Sequence, residues 1–259
     1  MNEVSPPGGF RDAGDLDTSR APLLDHLIEL RRRLLWSVAA IAVAFGFCFW
    51  QAKPIFAFLV QPLLAAGQGR IIYTDVFEAF FVNVKVGFFA ALMLAFPVVA
   101  TQMWRFVAPG LYRQEKRALL PFLLVTPFLF ALGSALAYYF AMPVALHFLL
   151  SYEGDVGGVT QEALPGVGNY LSFATRFIFG FGVAFLTPVL LMLLERAGIV
   201  TLAQLKAGRR YAIVAAFVVA AVLTPPDVVS QLMLAIPLIL LYEIALIGIR
   251  LTGRGKAAA

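Results

Sequence analysis

The chain has 259 residues, 61% of them apolar and only 14% charged. A soluble domain carries about 25% charged residues, so a water-soluble fold of this length could not hide so much hydrocarbon, and lipid is the solvent. The net charge of +5 does not build a nucleic-acid face, because the bases fall in short clusters between apolar runs.

In chain order, residues 1–21 are polar, with Pro6, Pro7, Gly8, Gly9 and three Asp, and read as a disordered tail. Residues 22–252 read as one membrane domain and 253–259 as a second tail. A crossing of the hydrocarbon takes about 20 apolar residues. Span 1 is Leu34 to Trp50, longer than the core of a cleavable signal and therefore retained. It contains Cys48, a single thiol that makes neither an intrachain disulfide nor a Cys-based metal site and reads as packing. Span 2 runs from about Val76 to Ala100 and carries Glu78, Asn83 and Lys85 in its first half. Span 3 lies in the uncharged stretch Ala118 to Leu150, where Pro121, Pro127 and Pro143 predict a kinked or tilted helix, or one broken near Pro143. Span 4 covers about Asn169 to Leu194 and includes Arg176. Span 5 is short, Tyr211 to Leu223, and Thr224-Pro225-Pro226-Asp227 turns it directly into span 6, Val228 to Ile249. Either the bilayer thins around span 5 or the pair is a re-entrant hairpin.

The fold class is thus all-α: a polytopic protein with six transmembrane helices, of which 5 and 6 are short. Of the 20 basic residues, 16 lie in the amino-terminal tail, the 101–117 and 195–210 loops and the carboxyl tail. Positive-inside places both termini in the cytoplasm. Trp50, Trp104, Tyr73, Tyr112, Tyr152 and Tyr211 fall near the interfaces, as an aromatic belt would. No sequence repeat relates the two halves.

Little here suggests catalysis. His26 and His147 read as interfacial or packed, and no nucleophile elbow, phosphate loop, metal-binding helix or Cys-x-x-Cys pair occurs, so neither cofactor nor metal is expected. The informative residues are charges in or beside the spans, because an ion at mid-bilayer costs at least ~2.5–3.5 kcal/mol. Glu78 and Lys85 share a face of span 2. With Arg176 they either snorkel toward the interface or line a polar path, as in a small-solute or ion transporter. Two carboxylates stand among bases on the inner rim: Glu29 in "HLIELRRR" and Glu115 in "RQEKR". Each either pairs locally, Glu29 with Arg32 or Arg33, or accepts a planar guanidinium from a visiting partner through two parallel hydrogen bonds.

At these residues the sequence resembles TatC, the polytopic core of the twin-arginine protein translocase. The stretches are "HLIELRRRLL" at 26–35, "FVAPGLYRQEKR" at 106–117, "YLSF" at 170–173 with "FGVAF" at 181–185, and "LTPPDVVSQ" at 223–231. The resemblance implies a prokaryotic plasma-membrane receptor that binds signal peptides bearing paired arginines. Folded proteins then cross, driven by the proton-motive force, in a multi-copy complex with TatA- and TatB-type single-span partners. It implies that Glu29 and Glu115, with Arg31, Phe106 and Arg113, contact the arginines. It also marks Pro62 as a sensitive position of the first outer loop, and Thr224, Asp227 and Gln231 as a partner-docking surface. One departure is Leu186, where the family often has an acid or Gln before the proline of span 4; either Thr187 substitutes, or the partner uses Thr224 and Gln231.

Overall fold

The computed structural model describes residues 13–111, 120–225 and 227–253. Helices α1 (Ala13–Trp50) and α2 (Ala52–Ala65) are separated by Gln51. α3 (Glu78–Leu111) follows, then α4 (Leu120–Leu136), a π-helical turn at Ala137–Ala141, and α5 (Met142–Leu150). A hairpin of β1 (Gly154–Val156) and β2 (Val159–Gln161) leads to α6 (Val167–Ala184), α7 (Thr187–Arg196), the short α8 (Leu202–Ala207), α9 (Arg209–Leu223) and α10 (Val228–Gly253). The hairpin closes through Gly157 and Gly158, both at positive φ (62° and 86°), as a tight two-residue turn demands.

Among the described residues, five stretches are long and apolar enough to cross a bilayer: Leu27–Trp50, Glu78–Phe106, Phe122–Leu150, Val167–Arg196 and Val228–Leu251. The 15 residues of α9 make about 22 Å of helix, short of a typical hydrocarbon core of about 30 Å. α9 runs antiparallel to α10, tied at its start by Arg209 to Glu243 (2.8 Å). The protein is all-α and polytopic, and large apolar side chains such as Phe47, Phe81, Leu124, Val222 and Leu251 are exposed around it.

Three local features depart from the sequence reading, and α1 begins at Ala13. The first outer loop contains a complete helix, α2, because the apolar run Ala52–Ala65 is too short to span yet long enough to fold against its neighbours. Span 3 is not broken at Pro143. The π turn absorbs the proline: Pro143 cannot donate to the carbonyl one turn back and its ring crowds that carbonyl, so the preceding turn widens. Span 4 has a joint at Phe185–Leu186, just before Thr187-Pro188.

Small residues bring the helices together, as expected where lipid tails compete with side chains for apolar contact. A Cβ on Gly182 would lie 2.5 Å from Ser134 Oγ and 2.7 Å from the Phe130 ring, and one on Gly133 would lie 2.7 Å from the Phe181 carbonyl. Only glycine lets α4 and α6 pack this closely. The main core surrounds α6, with Leu171, Phe177 and Phe181 against Leu59, Leu63, Val86, Met142 and Leu234. α1 is held by a narrow seam, Ala44 and Cys48 against Ala91 and Ala95 of α3, so Cys48 is indeed a packing residue.

Opposite ends of the bundle carry different chemistry. One end gathers Arg31 to Arg33, Arg105, Arg196, Arg209 and Arg210, and is called the basic rim below. The other, the hairpin end, is knitted by backbone: Val167 donates to the Ile72 carbonyl (2.9 Å) and Ile72 to that of Pro165 (3.2 Å).

Candidate functional site

On the basic rim, Glu29 and Arg33 occupy one face of α1, one turn apart. Arg33 donates to Glu29 Oε1 at 3.0 Å and, through its other terminal nitrogen, to Gln102 Oε1 of α3 at 3.3 Å. The local pairing therefore forms, with Arg33 rather than Arg32. Both side chains are about one-third exposed, so the pair is worth only about 0.3–0.5 kcal/mol. Glu29 Oε2 has no bonding partner among the described residues, and Arg33 Nε is buried without one. Arg31 and Arg32 are exposed; with Ile28, Leu35, Trp36 and Ala39 they line a shallow groove along α1.

Phe106, half-buried, lies near the end of α3 on the same rim. Its helix is fixed by Trp104, which is only 3% exposed, packs on Phe122 and Val189, and donates to Thr126 Oγ1 at 2.8 Å. Trp104 is therefore a core residue of the rim and not part of an aromatic belt, in contrast to the exposed Trp50, Tyr73, Tyr152 and Tyr211. Arg113, Glu115 and Tyr112 lie outside the described residues, between α3 and α4.

Pro62 sits inside α2, buried. A proline there leaves the carbonyl of Phe58 without its helical donor. Tyr138, from the π turn, donates its hydroxyl to that carbonyl at 2.6 Å, and its ring stacks on Phe58 with centroids 4.3 Å apart. Tyr170 of α6 donates to the next carbonyl, Leu59, at 2.7 Å. Neither tyrosine stood out in the sequence. The only available signal was a proline within an apolar run with a buried carbonyl one turn before it.

Thr224, Asp227 and Gln231 cluster where α9 turns into α10. Thr224 is buried and donates to the Ala220 carbonyl (2.9 Å). Asp227 is buried and caps α10, accepting from the Ser230 amide (2.6 Å), while its second oxygen and the Ser230 hydroxyl have no partner among the described residues. Gln231 is half-buried and donates to the Phe217 carbonyl (3.3 Å). An apolar groove of about 580 Å³ runs between α6, α7, α9 and α10, lined in part by Gly180, Val183, Ala212, Val219 and Thr187. The Thr187 hydroxyl is already committed to the Ala184 carbonyl (2.6 Å), so it is a poor replacement for the missing acid at Leu186.

Glu78, Lys85 and Arg176 lie along the α3–α6 face at the hairpin end. Glu78 is half-buried and ties two helix starts together, accepting from the Gly168 amide of α6 and from the amide and hydroxyl of Thr74. Its charge complements the amino end of α6. Lys85 donates to Ser172 Oγ at 2.8 Å. Lys85 and Arg176 are exposed and line neither the α6–α10 groove nor the groove between α2, α3 and α4. Lys85 thus reaches across from α3 to α6, and neither of these two grooves is lined by the two cations.

The family model described as Sec-independent protein translocase protein (TatC) matches residues 25–237. A protein of that name from Magnetococcus marinus is 52% identical over 229 residues, 88% of this chain and 83% of the relative. The one from Aquifex aeolicus is 41% identical over 239 residues, 91% and 97% of the two chains. Among solved structures, a crystal structure of the twin arginine translocase receptor TatC superposes with a TM-score of 0.73 at 40% identity, covering 87% of this chain and 98% of that one.

Proposed function

Because the chain belongs to the TatC family of Sec-independent protein translocase subunits, we propose that it receives signal peptides bearing paired arginines at its basic rim, in a prokaryotic plasma membrane with both termini cytoplasmic. The observation that carries this reading is the state of Glu29. Its carboxylate sits in a basic rim with one oxygen lightly held by Arg33 and the other without a partner among the described residues. An arriving guanidinium can take both oxygens in parallel at about 1.5–3 kcal/mol per charge-assisted bond, far more than the local pair is worth. Arg33 then remains anchored by Gln102. Glu115 supplies the second acceptor, Arg31 and Arg113 exclude other partners, and Phe106 offers an apolar edge to the peptide.

The role is binding and conduction, not catalysis. The apolar part of the signal inserts along the bundle. TatA- and TatB-type single-span helices gather beside α9 and α10, where Gln231 and the apolar groove with Thr187 at its edge face them, while Thr224 and Asp227 hold the turn in shape from within. Passage of folded cargo draws on the proton-motive force, in a complex of several copies.

Binding of a labelled signal peptide to the purified chain tests the site. Changing the peptide's Arg-Arg to Lys-Lys, or the receptor's Glu29→Gln, is expected to weaken binding more than tenfold while thermal unfolding stays within about 1 kcal/mol. Equal affinity for both peptides would sink the assignment.

A further inference from the structure

Lys85 and Arg176 pose a separate physical problem from the peptide site. The starts of α3 and α6 lie at one level, because Glu78 accepts from the Gly168 amide. Counting from Gly168 at 1.5 Å per residue, Ser172 lies about 6 Å and Arg176 about 12 Å along α6. Both lie in the first third of the apolar stretch Val167–Arg196, toward its hairpin-side edge. Lys85 reaches the same level, since its ammonium bonds Ser172 Oγ at 2.8 Å. Ser172 and Arg176 are one turn apart on one face, their Cβ atoms about 5–6 Å from each other. The two cations therefore converge on one patch of the bundle surface.

Neither has a carboxylate partner among the described residues. Glu78, two turns before Lys85 on α3, has its oxygens taken by Thr74, Asp75 and Gly168. Ser172 offers no negative charge; it accepts from Lys85 and has its proton committed to the Gly168 carbonyl (2.6 Å). Two Lys85 protons and the whole Arg176 fork remain to be satisfied at a depth where an unpaired ion is expensive. Helical side chains tilt toward the helix amino end, here toward the hairpin-side interface, so both cations point to the headgroup layer. The neighbours on this face are apolar and exposed, Phe81 and Phe88 among them, and suit acyl chains.

We infer that Lys85, Ser172 and Arg176 form a binding notch for the phosphodiester of an anionic phospholipid in the leaflet on the hairpin side. Arg176 makes the two-pronged contact with phosphate oxygens, and Lys85, steadied by Ser172, supplies the second charge. Charge balance selects the lipid class. A zwitterionic headgroup brings its own ammonium against two cations, whereas a headgroup with net negative charge does not.

The test is native mass spectrometry of the purified full chain, delipidated and titrated with phosphatidylglycerol, with phosphatidylcholine, or with phosphatidylglycerol in the presence of inorganic phosphate. The expected result is one retained phosphatidylglycerol, bound about tenfold or more tighter than phosphatidylcholine and not displaced by millimolar phosphate. Lys85→Gln with Arg176→Gln abolishes the preference. Lys85→Arg with Arg176→Lys keeps most of it and guards against a folding artefact, and Lys53→Gln with Arg70→Gln, bases of the same side, leaves it intact. Equal retention of both lipids, displacement by free phosphate, or a preference that survives loss of both charges overturns the site.

Discussion

Helices α1 and α6 are both long and apolar, yet the bundle treats them oppositely. Half of the most apolar window of α6–α7 is buried, against 11% of that of α1. α6 carries fully buried Leu171, Phe177 and Phe181, and its glycines admit α4 to contact. α1 touches the rest along one side only, through Ala44 and Cys48 with Ile41 and Phe45 beside them, Phe49 against Gly87, and the Arg33–Gln102 bond. The lesson is a division of labour. The central helix defines the fold and has no freedom left; the peripheral one keeps most of its circumference available, and it is the one that carries Glu29.

That contrast can be broken most severely from the α6 side. Gly182→Leu forces a side chain into Ser134 and Phe130, and is expected to cost about 3 kcal/mol or more, seen as a lost or strongly lowered unfolding transition in detergent. A weaker blow to the same core is Tyr138→Phe, which keeps the ring stack but strands the Phe58 carbonyl beside Pro62. It should cost about 1–3 kcal/mol, with signal-peptide affinity unchanged once the protein is folded. The smallest effect on stability is predicted at the α1 side. Gln102→Ala removes one half-exposed bond and should cost under about 1 kcal/mol, yet lower peptide affinity severalfold by freeing Arg33 to close over Glu29. If Gln102→Ala destabilised as much as Gly182→Leu, α1 would be part of the core and the division would fail.

The apolar runs and the placement of bases were enough to read a polytopic helical fold and two chemically distinct ends, although span 6, expected to be short, is the 26-residue α10. Those signals are local: hydrocarbon thickness sets run length, and loop charge clusters at one side. What could not be read depends on partners far along the chain. Glu78 looks like an intramembrane charge until Gly168, 90 residues later, turns out to donate to it. Trp104 has the composition of an interface residue, and only Thr126 and Phe122 make it a core one. The π turn and α2 were hidden for a related reason: a proline announces a disturbance but not the way neighbouring backbone absorbs it. Glu29 was visible as a lone acid, whereas the choice of Arg33 over Arg32 as its partner was set by Gln102 on another helix.

The tyrosine hydroxyls that serve α2 have a consequence for biogenesis. The Phe58 carbonyl waits 80 residues for its donor and the Leu59 carbonyl gains its second one 111 residues later. At a synthesis rate of about 5–20 residues per second, the first gap lasts about 4–16 s. A bare carbonyl is tolerated in water but not in hydrocarbon. During that interval the nascent α2 must therefore rest at the wet surface, and it can sink into the bundle only after the third long helix has been made.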